Sequence, residues 1–207
     1  MKRKHVIFVA GLVLLLIGCN PSPQISPAPK ASDSVIQSTP TLVAATPTAE
    51  KKPFTLSSPI LETDNMIPSI YSCHGKNISI PLEWGDPPEG TQSLALIMDD
   101  PDAKAVAGFV WIHWVIFNIP ASARTLPENL PANNTLPDGS IQGKNSFGKI
   151  GYGGPCPPSG MHHYYFKLYA LDLKLDAAPG ATSGVIAQKM KGHILNQTEL
   201  ITTYRKH

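Results

Sequence analysis

Four stretches of this 207-residue chain concentrate apolar side chains in the manner of β-strands. "QSLALIMDD" (92–100) is an almost unbroken apolar run that gives out in two aspartates, the pattern of a buried strand. "FVWIHWVIFNIP" (109–120) is rich in aromatic and β-branched residues and stops at a proline. "HYYFKLYALD" (163–172) has the same composition with weaker alternation, and "TELITTYR" (198–205) reads as a further strand. Helical periodicity is convincing once, in "TSGVIAQKMKGHI", where Thr182 or Ser183 supplies the cap and Ile186, Met190 and Ile194 fall on one face. The connections "WGDPPEGTQ", "LPENLPANNTLPDGS" and "GYGGPCPPSG" are dense in turn-forming residues. Strands without regularly alternating helices exclude a Rossmann-type sheet. They predict a mainly β domain, an antiparallel β-sandwich with a few short helices.

Ahead of Phe54 the pattern changes. Lys2, Arg3 and Lys4 precede an uncharged apolar run from Val6 to Ile17 and then Gly18-Cys19, the layout of a secretory signal. The run is shorter than the roughly 20 apolar residues that a membrane-spanning helix needs. Leu16-Ile17-Gly18-Cys19 resembles a bacterial lipobox, in which the cysteine is acylated and becomes the first residue of the mature protein. Residues 1–19 are therefore predicted to be a lipoprotein signal peptide with Cys19 lipidated, which places the protein on a cell membrane or envelope, lipid-anchored and extracytoplasmic. Residues 20–53 hold seven prolines, many Ser, Thr and Ala, and no aromatic residue. Such a segment buries too little apolar surface to offset its ordering entropy, so a disordered tether is expected there and one domain over 54–207.

This division changes the reading of charge. The whole chain carries +2, but residues 54–207 hold 11 basic against 13 acidic side chains, because six basic residues lie in the leader and tether. A domain at −2 offers no nucleic-acid surface. With Cys19 acylated, Cys73 and Cys156 remain as an even pair in a compartment that permits disulfides. A disulfide is favoured; buried thiols or metal ligands are alternatives that spacing alone does not separate.

Three stretches carry candidate chemistry. Asp99, Asp100 and Asp102 surround Pro101 where a buried strand ends, which is also how a plain polar turn looks. His113 sits inside an apolar strand, where an imidazole needs a partner or a pocket. In His162-His163-Tyr164, strand geometry puts His162 and Tyr164 on one face and His163 on the other, so one of the two histidines can line a given pocket. The preceding loop adds Gly151, Gly153 and Gly154, whose amides can approach a ligand closely, and Pro155, Pro157 and Pro158, which fix its shape. Amides converging beside protonatable imidazoles suit an anion, above all a phosphate, with Asp100 or Asp102 holding the imidazoles. The same residue types also permit a two-His, one-Asp metal site, or Cys156 as a nucleophile with His162 as base; no G-x-S-x-G is present.

Taken together, "MDDPDA", "WIHWVIFNIP", "FGKIGYGGPCPPSGMHHYYFKLYALD", "MKGHI" and "YSCHGKNISIPLEW" resemble the phosphatidylethanolamine-binding protein family, in its bacterial and archaeal Raf-kinase-inhibitor-like branch. The resemblance spans nearly all of 54–207. It implies a β-sandwich with a small pocket for phosphate, acetate or a phospholipid headgroup, formed by Asp100, His113, His162 and Tyr164. Asp102 would support it, and the loop from Gly151 to Pro158, with Gly153, Gly154 and Pro155, would form a wall. His163 stands where many relatives have arginine, and Lys104 departs from the usual DPDAP. The end of the chain soon after Tyr204 leaves no place for the longer C-terminal helix of the animal members.

The function expected is therefore a membrane-tethered extracytoplasmic binding protein for a small anionic ligand or headgroup, with no cofactor, no metal and no catalysis. A protein partner is possible within a second reading, an inhibitor of a kinase or protease; a third is a hydrolase. Trp84, Trp111 and Trp114 are expected in the core, with Trp111 or Trp114 able to edge the pocket, His193 at a helix end, and His74 exposed.

Overall fold

The structure is a computed structural model that describes Ser22 and residues 50–206. The expected signal peptide, Cys19 and most of the expected tether lie outside those residues. Two antiparallel sheets make up the domain. The larger one, in the order β6-β4-β3-β7-β8, contains β3 (Ser93–Asp100), β4 (Trp111–Pro120), β6 (Ile141–Gln142), β7 (Met161–Leu171) and β8 (Ile194–Arg205). The smaller one, β1-β2-β5, is built from β1 (Leu56–Ser57), β2 (Leu82–Trp84) and β5 (Thr125–Leu126). Two short helices complete it, α1 (Lys104–Ala107) and α2 (Ser183–Met190).

The apolar run of β3 has a simple physical origin. It is the middle strand of the large sheet and every residue of it is buried. Leu94, Leu96 and Met98 join Trp114, Ile116, Phe166 and Leu168 in a core closed on the other side by Leu56, Leu82, Trp84 and Leu126 of the small sheet. Ala95 and Ile97 point the other way, into a second cluster with Val115, Phe117, Leu175 and the α2 residues Ile186 and Met190. A strand covered on both faces is apolar along its middle, here from Leu94 to Met98, which removes the usual alternation. Each large side chain so buried contributes about 1.5–3 kcal/mol.

The sandwich and the four main strands agree with the sequence expectation, and the differences have local causes. The helix begins as predicted, with Thr182 as N-cap accepting from the Val185 amide. It ends at Met190, because Gly192 takes a left-handed conformation (φ +85°) and turns the chain into β8. Ile194, expected on the helical face, is instead the first residue of β8 and is exposed. The first half of β8 is an exposed edge with no apolar pattern to betray it. The strands of the small sheet are two or three residues long, too short to show any period. His193 lies beyond the helix and pairs with Asp172 (2.9 Å) rather than complementing the helix end.

One irregularity decides the site. On the ladder between β3 and β4, Met98 pairs with Trp114 but Asp99 pairs with Ile112, so His113 is an extra residue without a cross-strand partner. Strict alternation from Trp114 would send His113 to the face of Val115. The bulge instead lets its ring meet Tyr164 edge-on, 5.1 Å between centroids, on the face turned toward the small sheet.

Candidate functional site

At the end of the sandwich where β3 and β4 stop and β7 begins, a cavity of about 220 Å³ opens to the surface. Asp100, Ala103, Trp111, His113, Phe147 and His162 line it, with Val106, Ala107, Cys156 and Pro158 at its edges. Three remote segments thus deliver the predicted aspartate and both predicted histidines to one place. Its size lies below the roughly 300–1,000 Å³ of sites for drug-sized molecules, so it suits a small group.

Each polar group has a defined partner on the protein side. Asp100 is 3% exposed. Its Oδ1 accepts from the Ala103 amide (3.0 Å), and its Oδ2 accepts from His162 Nδ1 (2.7 Å). Both carboxylate oxygens are therefore engaged inside the protein. His113, 2% exposed, places Nδ1 2.6 Å from the carbonyl oxygen of Gly153. A carbonyl can only accept, so Nδ1 carries the proton and Nε2 is the nitrogen left for the cavity. Burial pushes the His113 pKa below the ordinary histidine value, and the Gly153 carbonyl, the Asp100 charge and the Gly154 backbone oppose this only in part. His162 likewise commits Nδ1, to Asp100, and keeps Nε2 for the cavity.

Tyr164 shares its face with His162, as strand alternation predicts, and is fully buried under His113. It does not line the cavity, and its hydroxyl has no hydrogen-bond partner. Burial, then the Asp100 charge, drives its pKa well above the usual phenol value, so the hydroxyl keeps its proton. The Cys156 amide lies near enough to oppose that shift, but the geometry is not that of a hydrogen bond. An unmet buried hydroxyl is a cost in the empty protein. Tyr164→Phe is expected to leave stability unchanged or to raise it by up to about 1 kcal/mol in urea denaturation; a loss of more than about 1 kcal/mol would show that the hydroxyl is satisfied after all.

The glycine loop has a different task from the one expected. Its amides are already taken: Gly153 N–H donates to the His113 carbonyl (2.8 Å) and Gly154 N–H to Asn77 Oδ1 (2.7 Å). Neither glycine lines this cavity, but both line an adjoining hollow of about 480 Å³ that shares Trp111, Phe147 and Cys156 with it. A Cβ on Gly153 would meet the Phe147 ring at 2.7 Å, and one on Gly154 would collide with the Tyr71 carbonyl. The glycines are there so that the chain can pass closely, and the Gly153 carbonyl rather than any amide acts on the site, by fixing the His113 tautomer. Pro155 is also off the cavity, and its carbonyl accepts from Cys73 N–H (3.0 Å). The Cys73–Cys156 disulfide anchors this loop to residues 83 positions earlier.

Asp102 does not support the site. Its Oδ2 accepts from both the backbone N–H and Nδ1 of His163 (2.8 Å each) on the exposed side of the sheet, and the His163 bond holds the carboxyl below its usual range. Of the tryptophans, Trp84 and Trp114 belong to the core, while Trp111 edges the cavity between Phe109 and Phe147. His74 is exposed, as expected. Phe147, Ala103 and Val106 were missed by residue-type reasoning because apolar lining residues carry no chemical signal. Asn145, also missed, holds the loop by donating to the Gly151 carbonyl (2.9 Å). A larger hollow of about 680 Å³ lies beside Lys52, Asp86 and Arg124, but there Arg124 already pairs with Asp86 (2.9 Å) at the exposed surface.

The profile of the phosphatidylethanolamine-binding protein family matches residues 57–205. The chain belongs to that family. A protein of Methanothermobacter thermautotrophicus is 54% identical over 140 residues, covering 68% of this chain and 91% of that one. A Mycobacterium tuberculosis protein whose name describes it as a candidate lipoprotein, LppC, is 39% identical over 167 residues, covering 79% of this chain and 78% of its own. Crystal structures agree. The Chlamydia trachomatis homologue of phosphatidylethanolamine-binding protein has a TM-score of 0.67 at 38% identity, covering 74% of this chain and 98% of that one. Escherichia coli YbcL has a TM-score of 0.67 at 33% identity, covering 74% and 99%.

Proposed function

We propose that this family member is a non-covalent binding protein whose cavity takes a monoprotonated phosphate monoester, on a small molecule or on a lipid of the phosphatidic acid type, on an extracytoplasmic membrane surface to which Cys19 tethers it. The observation that carries the reading is the pair of buried imidazoles whose Nδ1 atoms are both committed to the protein and whose Nε2 atoms are left for one cavity.

The two rings are not equivalent. His162 faces a carboxylate, so when protonated it has a counter-ion and its Nε2–H donates to a ligand oxygen. His113 has only a carbonyl on Nδ1 and is buried, so its neutral form offers Nε2 as an acceptor. One donor beside one acceptor matches the P–O⁻ and P–OH of a phosphate monoester that keeps one proton. Val106, Phe109 and Phe147 are 66%, 50% and 40% exposed around the cavity, which favours a phosphate joined to an apolar body over the free ion. The bond between Cys156 and Cys73 occupies the thiol considered as a nucleophile, which supports binding without covalent chemistry. The lipoprotein name of the mycobacterial relative supports the tether.

Titration calorimetry with inorganic phosphate, phosphoethanolamine, a short-chain phosphatidic acid and sulfate, across the range from about pH 5 to about 9, tests this. Affinity for the phosphates is expected to fall as pH rises, because the ligand loses the proton that His113 Nε2 accepts. Sulfate brings no proton near neutrality and is expected to bind at least about tenfold more weakly, as one buried acceptor is left unmet. Affinity independent of pH, or sulfate binding as well as phosphate, would overturn the histidine mechanism.

A further inference from the structure

At the rim of the cavity, where Cys156 sits, Cys73, His74 and Cys156 form a second cluster at the surface, in which one ligand atom from each residue lies within 4.8 Å of the others. Cys73 Sγ is 3.7 Å from His74 Nδ1 and 3.8 Å from Nε2. The imidazole is held from behind. It stacks on Tyr204, with centroids 6.0 Å apart and planes 18° apart, and its Nδ1 meets the Tyr204 hydroxyl at 3.2 Å. That hydroxyl is buried and takes a second bond from Ser72 Oγ (2.8 Å). Metal-binding histidines are held in this way, one ring nitrogen on an outer partner; Nε2 here stands within reach of the sulfur, and a modest rotation of the exposed ring would aim it at a shared cation.

We propose that reduction of the Cys73–Cys156 disulfide converts this cluster into a site for a soft or borderline d¹⁰ cation such as Zn²⁺, bound by both sulfurs and His74 Nε2, with a fourth position open to solvent. The electron balance is that of thiol–disulfide exchange: a dithiol gives two electrons and two protons, becomes a disulfide itself, and leaves Cys73 and Cys156 as thiols. The cation then displaces both protons as the thiols become thiolates. Both cysteines are exposed, so a dithiol can reach them. Tetrahedral zinc, with bonds of about 2.3 Å to sulfur and about 2.0 Å to nitrogen, sets sulfur and nitrogen about 3.6 Å apart. His74 already stands at nearly that separation from Cys73. The two sulfurs need only part to about 3.8 Å to meet the same geometry, on a pair of residues whose Cα atoms are 5.3 Å apart.

The consequence is a second clasp for the same loop. Cys156 lies three residues from Gly153, whose carbonyl fixes His113. Oxidised, the loop is closed by the disulfide; reduced, it is closed by the cation. The site stands independently of the anion reading.

The test uses the protein with its disulfide intact, and the same protein after passage over a resin-bound dithiol, titrated with Co²⁺ as a spectroscopic probe and then with Zn²⁺. The reduced protein is expected to bind one equivalent of Co²⁺ with thiolate charge-transfer bands, which Zn²⁺ abolishes, while the oxidised protein shows none. His74→Ala is expected to weaken the reduced site at least tenfold while leaving the oxidised protein folded by circular dichroism. Should the reduced protein unfold, recovery of its thermal transition on adding Zn²⁺ supports the site, and failure to recover overturns it. Absence of the bands, or a reduced His74→Ala protein that binds as tightly as the parent, also overturns it.

Discussion

Asp100→Ala is expected to weaken phosphate binding by about 30- to 100-fold while leaving a folded but less stable protein. The carboxylate accepts from His162 Nδ1 and from the Ala103 amide, and it is almost wholly buried. Removing it takes away the counter-ion that lets the His162 ring carry charge next to the cavity and frees that ring to rotate. Charge-assisted hydrogen bonds of this kind contribute about 2–3 kcal/mol, which is the quoted factor in affinity. The Ala103 amide loses its acceptor as well, so unfolding free energy is expected to fall by roughly 2 kcal/mol. Calorimetry with phosphoethanolamine, paired with urea denaturation, separates the two effects. A folded variant with parental affinity would mean that the cavity does not work through His162.

Replacing both Cys73 and Cys156 with serine is expected to lower stability by about 4.5 kcal/mol, the chain-entropy value for a cross-link of this span, since the bond joins positions 83 residues apart. In the folded state the change is local. Without the bond, the loop that carries Gly153 is held by the Gly154–Asn77 and Cys73–Pro155 hydrogen bonds and by Asn145. The Gly153 carbonyl, and with it the orientation of His113, becomes less sharply defined. Guanidinium unfolding under non-reducing conditions measures the stability. A loss below about 1 kcal/mol would show that the loop is held by packing alone, with the cross-link adding little.

Much of the site was legible from residue types and strand geometry. The aspartates at the end of an apolar strand, a histidine inside a second one, and the alternation that sets His162 apart from His163 pointed to Asp100, His113 and His162. The structure brings these three to one cavity. Asp102 was misplaced because two aspartates separated by a single proline look interchangeable in sequence. Only the turn into α1 shows one facing inward to His162 and the other outward to His163. The glycines were read as ligand-binding amides, but a glycine looks the same in sequence whether a ligand or a neighbouring backbone needs the space. Here the neighbours are the Tyr71 carbonyl and the Phe147 ring.

By itself the sequence determined the class of fold, the burial of the central strands and which face of β7 carries His162 and Tyr164, because these follow from side-chain period and composition, which are local. The family also follows from it, through motifs spread over residues 57–205. Tertiary structure alone decided that His113 turns toward Asp100 and His162, since that depends on a bulge set by pairing between β3 and β4. It also decided which nitrogen of each ring faces the cavity, since that is fixed by partners 40 and 62 residues away. Proton placement is a property of contacts between distant segments, and no local pattern in the chain encodes it.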